Sequence, residues 1–591
     1  MGFRHIDTIL QGRGLRAPLL NILNQDSGLY NALLFQPVDS LEYGSDFIRN
    51  SERDRANTKF RTFFQLASEK HAELAVTPEY SCPWRILEEV IQDIDSLAED
   101  QIRVIGCESI KANELNIIIG GNAQVTWVYE EDKVIANLEN DRFFDPVCYF
   151  FKTKTQESNE IRAVVIVQFK THHFGGKGME WERDNFIPGE VIYVIKNRTA
   201  STRLVTFICS DSLNVQQDLN ISALPDFENH PYLILHIQLN QSPNNLDYSR
   251  YRSETYRMGW GNKEFICLNW GRNVIIDNQL WNRYGGSAMY IQSLGDDEKK
   301  FDTCDNRLNA NHSKGMYYTR WEKRKAHLYC FNYDEHVFLL RSTKVSQLSA
   351  LPATRARTGP ELREIYIWNG EENYWIPDES VNHGFNDLCD ELHQTGSLET
   401  IRDIGMERPI DAERLISLSV GKALDKDWHL PTKNPFFKIE DNEIDNRITF
   451  IQNPTPEIRQ SKKDYLGYFS TLEYIIIHNE NNFPDSIEDL KNNCEISYRP
   501  EGYKEEYCLN LFPSNTTGAP ASGVFLGLTQ KEFAQSVRIK MMELFEGNQY
   551  AKRVVIWYYN NNGELDKEYS PKKAKITDNT GASKRSIRST E

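Results

Sequence analysis

LAVTPEYSC, residues 74 to 82, decides the reading of the first half of the chain. It begins as a short apolar run of the kind that forms a buried strand, and it ends on a carboxylate, Glu79. Immediately before it, RANTKFRTFFQLASEKHAE (55 to 73) places Phe60, Phe63, Phe64 and Ala67 at i, i+3, i+4 and i+7, one apolar helical face over a polar back. Immediately after it, WRILEEVIQDIDSLAED (84 to 100) returns to helical spacing, and RVIGC (103 to 107) reads as a further strand. Strand alternating with helix is the order of an α/β domain. Upstream, YNALLFQPV (30 to 38) is a strand halted by Pro37. Downstream, RAVVIVQF (162 to 169), RLVTFIC (203 to 209), YLILHIQL (232 to 239) and EFICLNWG (264 to 271) carry the Val, Ile and Phe content of strands covered on both faces.

The composition sets outer limits. A chain of 591 residues exceeds one ordinary core, and 40% apolar with 26% charged residues describes a globular protein. LRAPLLNIL (15 to 23) is too short and too polar at its flanks for a membrane span or signal peptide, so a cytosolic location is expected. The ten cysteines show no CxxC or Cys/His ligand spacing, which points to reduced, mostly buried thiols without a structural metal. A net charge of -17 argues against a chain that coats nucleic acid. The one candidate for such contact is YYTRWEKRK (317 to 325), with Arg320, Lys323, Arg324 and Lys325 beside aromatic rings, and a solvated helix face is the more economical reading of it. There is no phosphate-binding GxxxxGK[ST] loop, GxSxG elbow or HExxH zinc helix.

Three strand ends in this half each finish on a reactive side chain: Glu79, Lys170 after VVIVQF, and Cys209 after VTFI. Each alone is an ordinary loop or core residue. In this order and context they resemble the nitrilase superfamily of carbon-nitrogen hydrolases, whose triad runs Glu, Lys, Cys. LAVTPEY, VQFKTHHF and FICSDS are similar to the family's three motifs, and FIPGE (186 to 190) to the Phe and Pro-Gly turn between the last two. The segment from LILHIQLN through FICLNWG resembles the strand, helix and strand that follow the nucleophile.

The resemblance covers residues 1 to 345 and implies a nitrilase-like α-β-β-α sandwich. It assigns Glu79 as general base and acid, Lys170 as the cation beside the growing oxyanion, Cys209 as nucleophile, and the backbone N–H of Ser210 as a second oxyanion donor. No cofactor is required, the substrate would be a small amide or nitrile, and pairing into a homo-oligomer is implied. The family often carries a second Glu about eight residues after the Lys; here that position is Gly178, and Glu180 is taken as its replacement, with Glu182 nearby. His172 and His173 are candidate substrate contacts in the same loop.

SQLSALPATRARTGP (346 to 360) reads as a linker, followed by a separate α+β domain over 361 to 566 and a basic flexible tail over 567 to 591. In that domain EIYIWNG (364 to 370), TLEYIIIH (471 to 478) and RVVIWYYN (553 to 560) read as strands and DAERLISLSVGKAL (411 to 424) as a helix. Thr529 with Glu532 reads as a capping box opening a helix with Phe533, Val537, Met541 and Leu544 on one side, stopped by Gly547. Because the chain greatly exceeds the length of the resembling domain, a second reading stands beside the enzyme: a catalytically silent ligand-binding or scaffold module in a multidomain bacterial antiviral protein, with the second half as sensor or effector. That reading is an analogy of domain arrangement.

Overall fold

The computed structural model describes residues 2–571 apart from 27, 174–179, 199–201, 215–229, 244–245, 258–261, 282–284, 293–300, 303–304, 322–325, 346–356, 379–382, 393–397, 431–432, 438–443, 452–454, 479–482, 505 and 516. The chain divides into two compact units, the first comprising Met1–Leu388, Ile404–Ile410 and Leu430–Arg459, and the second the remainder.

Two sheets make the first unit. In the nine-stranded sheet the order is Tyr374–Pro377, Glu361–Asn369, His336–Thr343, Leu29–Gln36, Leu74–Cys82, Ile102–Cys107, Pro146–Lys154, Ile161–Phe169 and Thr126–Val128. The eight-stranded sheet places Arg203–Ile208, Tyr232–Ile237 and Lys263–Leu268 side by side and parallel at its centre. Their facing sides share one core, in which Leu34, Val76, Val104, Tyr149 and Ile166 of the first sheet meet Tyr193, Leu204, Leu235 and Ile266 of the second. On the outer face of the nine-stranded sheet, Phe60, Phe63, Phe64 and Ala67 of the helix Arg53–Glu69 pack with Ile86 and Leu87 of the helix Trp84–Gln92. Tyr251 and Tyr256 of the helix Leu246–Arg257 cover the outer face of the other. Helix, sheet, sheet, helix is thus the layering of this unit, and it follows from strands apolar on both faces, which must be buried twice.

Several expectations need correction. The strand Glu361–Asn369 is no part of a separate domain. It pairs antiparallel with His336–Thr343, Val337 opposite Tyr366 and Phe338 opposite Ile365, and Trp375 beyond it packs edge-on against Phe35 at 4.9 Å. The boundary expected between 345 and 361 therefore falls inside the first unit, because those strands complete its sheet. Most of the linker, 346–356, lies outside the described residues, as does the tail from 572, while Leu565–Glu568 is still a strand. The helix expected over 84 to 100 stops at Gln92, since Asp93 leaves helical geometry at φ -88°, ψ 53°.

In the second unit TLEYIIIH belongs to a helix, Pro456–His478, not a strand. Leu466, Phe469, Leu472, Ile475 and Ile476 are buried along it, and this 3.6-residue period outweighs the β-branched run. DAERLISLS lies in the helix Pro409–Ser419, and RVVIWYYN forms the strand Val554–Tyr559, parallel to Ser522–Leu528. The helix after Thr529 is Lys531–Glu543, with Gln530 at its N-cap, no side-chain cap bond, and Phe533 exposed; Val537 and Met541 are buried as expected. YYTRW is a strand, Met316–Trp321, and not a helix face; Tyr317, Tyr318 and Trp321 are buried, while Lys323, Arg324 and Lys325 lie outside the described residues. Arg320 is half-buried there. Among the described residues no helix is long and apolar enough to cross a membrane.

Candidate active site

The parallel strands of both sheets end on the same side of the sandwich, and their ends deliver the candidate residues. Glu79 sits where the register with Ile102–Cys107 breaks, between Thr77 and Cys82, and Tyr80 after it has φ 56°. This bulge turns the carboxylate out of the sheet. It is permitted by Gly106 on the neighbouring strand, where a Cβ would lie 2.0 Å from the Pro78 carbonyl oxygen. Lys170 follows directly on Ile161–Phe169, and its carbonyl accepts from Gly189 N at 2.7 Å, which is how the Pro-Gly turn of FIPGE holds it. Cys209 follows Arg203–Ile208 at φ 40°, a left-handed conformation that non-glycine residues rarely take, so its turn carries backbone strain.

Side chains converge there in a fully buried cluster. Lys170 Nζ donates to Glu79 Oε1 at 2.7 Å and to Glu182, and lies 3.5 Å from Asp145 Oδ2. Glu79 Oε2 accepts from Leu239 N at 2.5 Å, and its main-chain carbonyl accepts from Trp270 Nε1 at 2.7 Å. Tyr80 Oη donates to Glu182 at 3.1 Å. The Cys209 sulfur is 3.6 Å from Tyr248 Oη.

A second set of contacts fixes the turn that carries the sulfur. His236 Nε2 donates to the Cys209 carbonyl at 2.9 Å, and its Nδ1 accepts from Gln238 at 3.0 Å. Burial pushes His236 down to about 3, so the ring is neutral and keeps this tautomer. Asp211 Oδ1 accepts from Thr171 N and Thr171 Oγ1, each at 2.7 Å, and from His172 N at 3.2 Å, tying the turn after Lys170 to the turn after Cys209. Ser210 donates from Oγ to the His172 carbonyl at 2.6 Å, and its N–H follows directly on the sulfur-bearing residue.

Electrostatics divide the roles. Burial pushes the Cys209 thiol well up; the Glu79 charge adds to this, and Lys170 pulls the other way. Burial raises Glu79 and Lys170 opposes it. Burial also works against the Lys170 ammonium, but the charges of Glu182 and Glu79, in that order, outweigh it and hold the group charged well above its ordinary range. Such an arrangement keeps a thiol as a thiol until a base takes its proton, with a fixed cation beside it. Glu79, Asp145 and Glu182 bring carboxylate oxygens within 4.8 Å of one another, a geometry that suits a cation, and the Lys170 ammonium is the cation they surround.

The structure places Glu79, Lys170, Cys209 and Ser210 near one another at these strand ends. Glu180 is not among them: it is exposed at the start of the helix Glu180–Asn185, and Glu182, on the opposite side of that helix, reaches Lys170. His172 is half-buried in the Asp211 clamp and His173 is exposed. Asp145, Tyr248, His236 and Trp270 escaped the sequence reading.

No family model matches the chain, and no curated protein matches it. Among solved structures, an amidase variant of the nitrilase superfamily from Nesterenkonia shares 13% identity over 45% of this chain and 83% of its own, with a TM-score of 0.27. A CN-hydrolase superfamily protein from Xanthomonas campestris, with an arsenic adduct in its active site, shares 11% identity over 44% of this chain and 82% of its own, with a TM-score of 0.25.

Proposed function

We propose that this chain is a hydrolase of carbon-nitrogen bonds, of amidase or nitrilase type, acting on a small amide or nitrile through a thioester on Cys209. The observation that carries the reading is the convergence, at one buried point, of a left-handed cysteine turn with a carboxylate and an ammonium 2.7 Å apart.

Each group has a chemical task. Cys209 attacks the substrate carbon as its S–H proton passes to Glu79, so the sulfur becomes nucleophilic only when the electrophile is present. Negative charge grows on the attacked oxygen, where Lys170 and the Ser210 N–H stabilise it; loss of one such donor costs on the order of 10² to 10³ in rate. Glu79 returns its proton to the departing nitrogen, ammonia or an amine leaves, and Glu79 then takes a proton from the water that attacks the thioester and passes it to the Cys209 sulfur as the C–S bond breaks and the acid is released. With a nitrile, the Cys209 sulfur adds to the carbon as Glu79 gives the proton to the nitrogen, forming a thioimidate; a first water then adds and ammonia leaves to give the thioester, which a second water opens. Glu182 and Leu239 N hold Lys170 and Glu79 in place, and the Asp211 clamp holds the two loops in register.

The test is ammonia release from a panel of primary amides and nitriles, aliphatic, aromatic and carboxylated, by the full chain and by Cys209→Ala. Release that is lost in the variant supports the reading. Release that persists in it removes Cys209 from the chemistry.

A further inference from the structure

The carboxyl of Asp145 has no place in the steps above, yet it lies in the cluster. Asp145 precedes the strand Pro146–Lys154, which runs antiparallel to its neighbours and so begins on the side where the parallel strands end. It is fully buried. The groups facing it are Glu79 and Tyr80 from one strand, Lys170 from a second, Glu182 from the helix Glu180–Asn185, and beyond them Cys209 and Tyr248.

Hydrogen bonding separates the three carboxyls. Glu79 accepts from Lys170 at 2.7 Å and from Leu239 N at 2.5 Å. Glu182 accepts from Lys170 and from Tyr80 Oη. Both are equipped as carboxylates. Asp145 is not: among the described residues neither of its oxygens accepts a hydrogen bond, and its nearest cation, Lys170 Nζ, stands at 3.5 Å and is already engaged twice. A buried carboxylate without donors is costly, and three negative charges around one ammonium more so. A proton on Asp145 resolves both problems, because it turns Asp145 into a donor facing an acceptor, Glu79.

Resting on the hydrolase reading of this site, we propose that Asp145 is a positioning residue carried as a neutral carboxylic acid, whose O–H donates to Glu79 and holds it as the carboxylate that receives the Cys209 proton. Burial and the Glu79 charge push the Asp145 carboxyl well up, in keeping with this. The bond pulls Glu79 in the direction of its ionised form. With Asp145 neutral, Lys170 positive and both glutamates negative, the cluster carries a single net negative charge. When the Cys209 S–H bond breaks and an O–H bond forms on Glu79, that net charge does not change.

The experiment reads the proton without a substrate. Infrared difference spectra of the full chain minus Asp145→Asn at pH 7 are expected to show the C=O stretch of a protonated carboxylic acid, shifted in D₂O; absence of that band means Asp145 is ionised and overturns the proposal. In parallel, alkylation of Cys209 by iodoacetamide is followed by peptide mass across pH. Asp145→Asn keeps neutrality and a donor, so the pH midpoint stays in place, whereas a downward shift of a unit or more would report the loss of a real negative charge and refute neutrality. Asp145→Ala keeps neutrality but removes the donor, and a tenfold slower alkylation is expected; an unchanged rate would overturn the positioning role. Uptake of Mn²⁺ or Zn²⁺ by the full chain that is lost in Asp145→Asn would instead make the cluster a metal site. If the band and the midpoints behave as expected while no amide or nitrile is turned over, the hydrolase reading fails and the assignment of the proton stands.

Discussion

Lys170→Met removes the ammonium from the buried cluster while keeping a long apolar stem. Glu79 and Glu182 are then left facing each other, 1% and 0% exposed. They cannot both stay ionised there, and at least one must take a proton. Charging a normal glutamate, with an unfolded pKa of about 4.3, with a proton at pH 7 costs about 3.7 kcal/mol, from about 1.36 kcal/mol for each pH unit. Breaking a buried ion pair costs about 3 to 5 kcal/mol by experience, so the two routes agree. At pH 5 the same proton costs only about 1 kcal/mol. The folded variant holds a carboxyl whose pKa is raised above its unfolded value, so the variant loses stability as pH rises from the unfolded pKa through the folded one. Urea titration followed by tryptophan fluorescence at pH 5, 6 and 7 is the assay, and Trp270, bonded to the Glu79 carbonyl, reports from the site itself. A deficit under about 1 kcal/mol at pH 7, or one that does not grow with pH, would refute the account of Lys170 as the charge that makes this cluster possible.

Other outcomes follow from the same geometry. Glu182→Gln is expected to cost about 1.5 to 3 kcal/mol through its charged bonds, and Glu180→Gln, at an exposed position, to stay within about 0.5 kcal/mol, with thermal unfolding as the measurement. In the free protein Cys209 should alkylate slowly at pH 7 and faster on the alkaline side, because burial pushes its thiol up; rapid modification at pH 6 would contradict this. Tyr248→Phe removes the hydroxyl that draws the thiol down and should slow alkylation by about three- to tenfold, corresponding to one modest hydrogen bond. A fragment ending at 345 loses Glu361–Asn369 and Tyr374–Pro377, bares the edge of His336–Thr343 and leaves Phe35 without Trp375, so it should aggregate on expression; a soluble monomeric fragment would show those strands to be dispensable.

What could be read from the sequence was set by local pattern. Strands buried on both faces announce themselves by unbroken Val, Ile and Phe, and a charged or thiol residue at the end of such a run stands out, which is how Glu79, Lys170 and Cys209 could be picked out as candidates that lie close together. Asp145 was not, since FFDPV reads as a loop acid, and only the antiparallel course of the next strand carries it to the other three. The choice between Glu180 and Glu182 turns on helix phase, because residues two apart point roughly 200° apart. Phe186, four positions after Glu182 and just past the end of the helix, is buried like Glu182, while Glu180 is exposed. His236 and Tyr248 looked like core and helix residues, as they are, and their contacts with Cys209 depend on pairing that sequence alone does not specify. TLEYIIIH was misread because its β-branched run was judged without the apolar positions upstream that share its helical period. The misplaced boundary has a similar origin, since EIYIWNG reads as a strand but does not declare which sheet it joins.

The central claim is that Cys209 takes up the acyl group of an amide. Intact-mass measurement after rapid quenching of the full chain with a turned-over amide, followed by peptide mapping, tests it most directly. The account predicts an added acyl mass on the Cys209 peptide that is released by hydroxylamine and absent from Cys209→Ala. Ammonia release from the same amide with no acyl mass on Cys209, or with the mass on another residue, would contradict it.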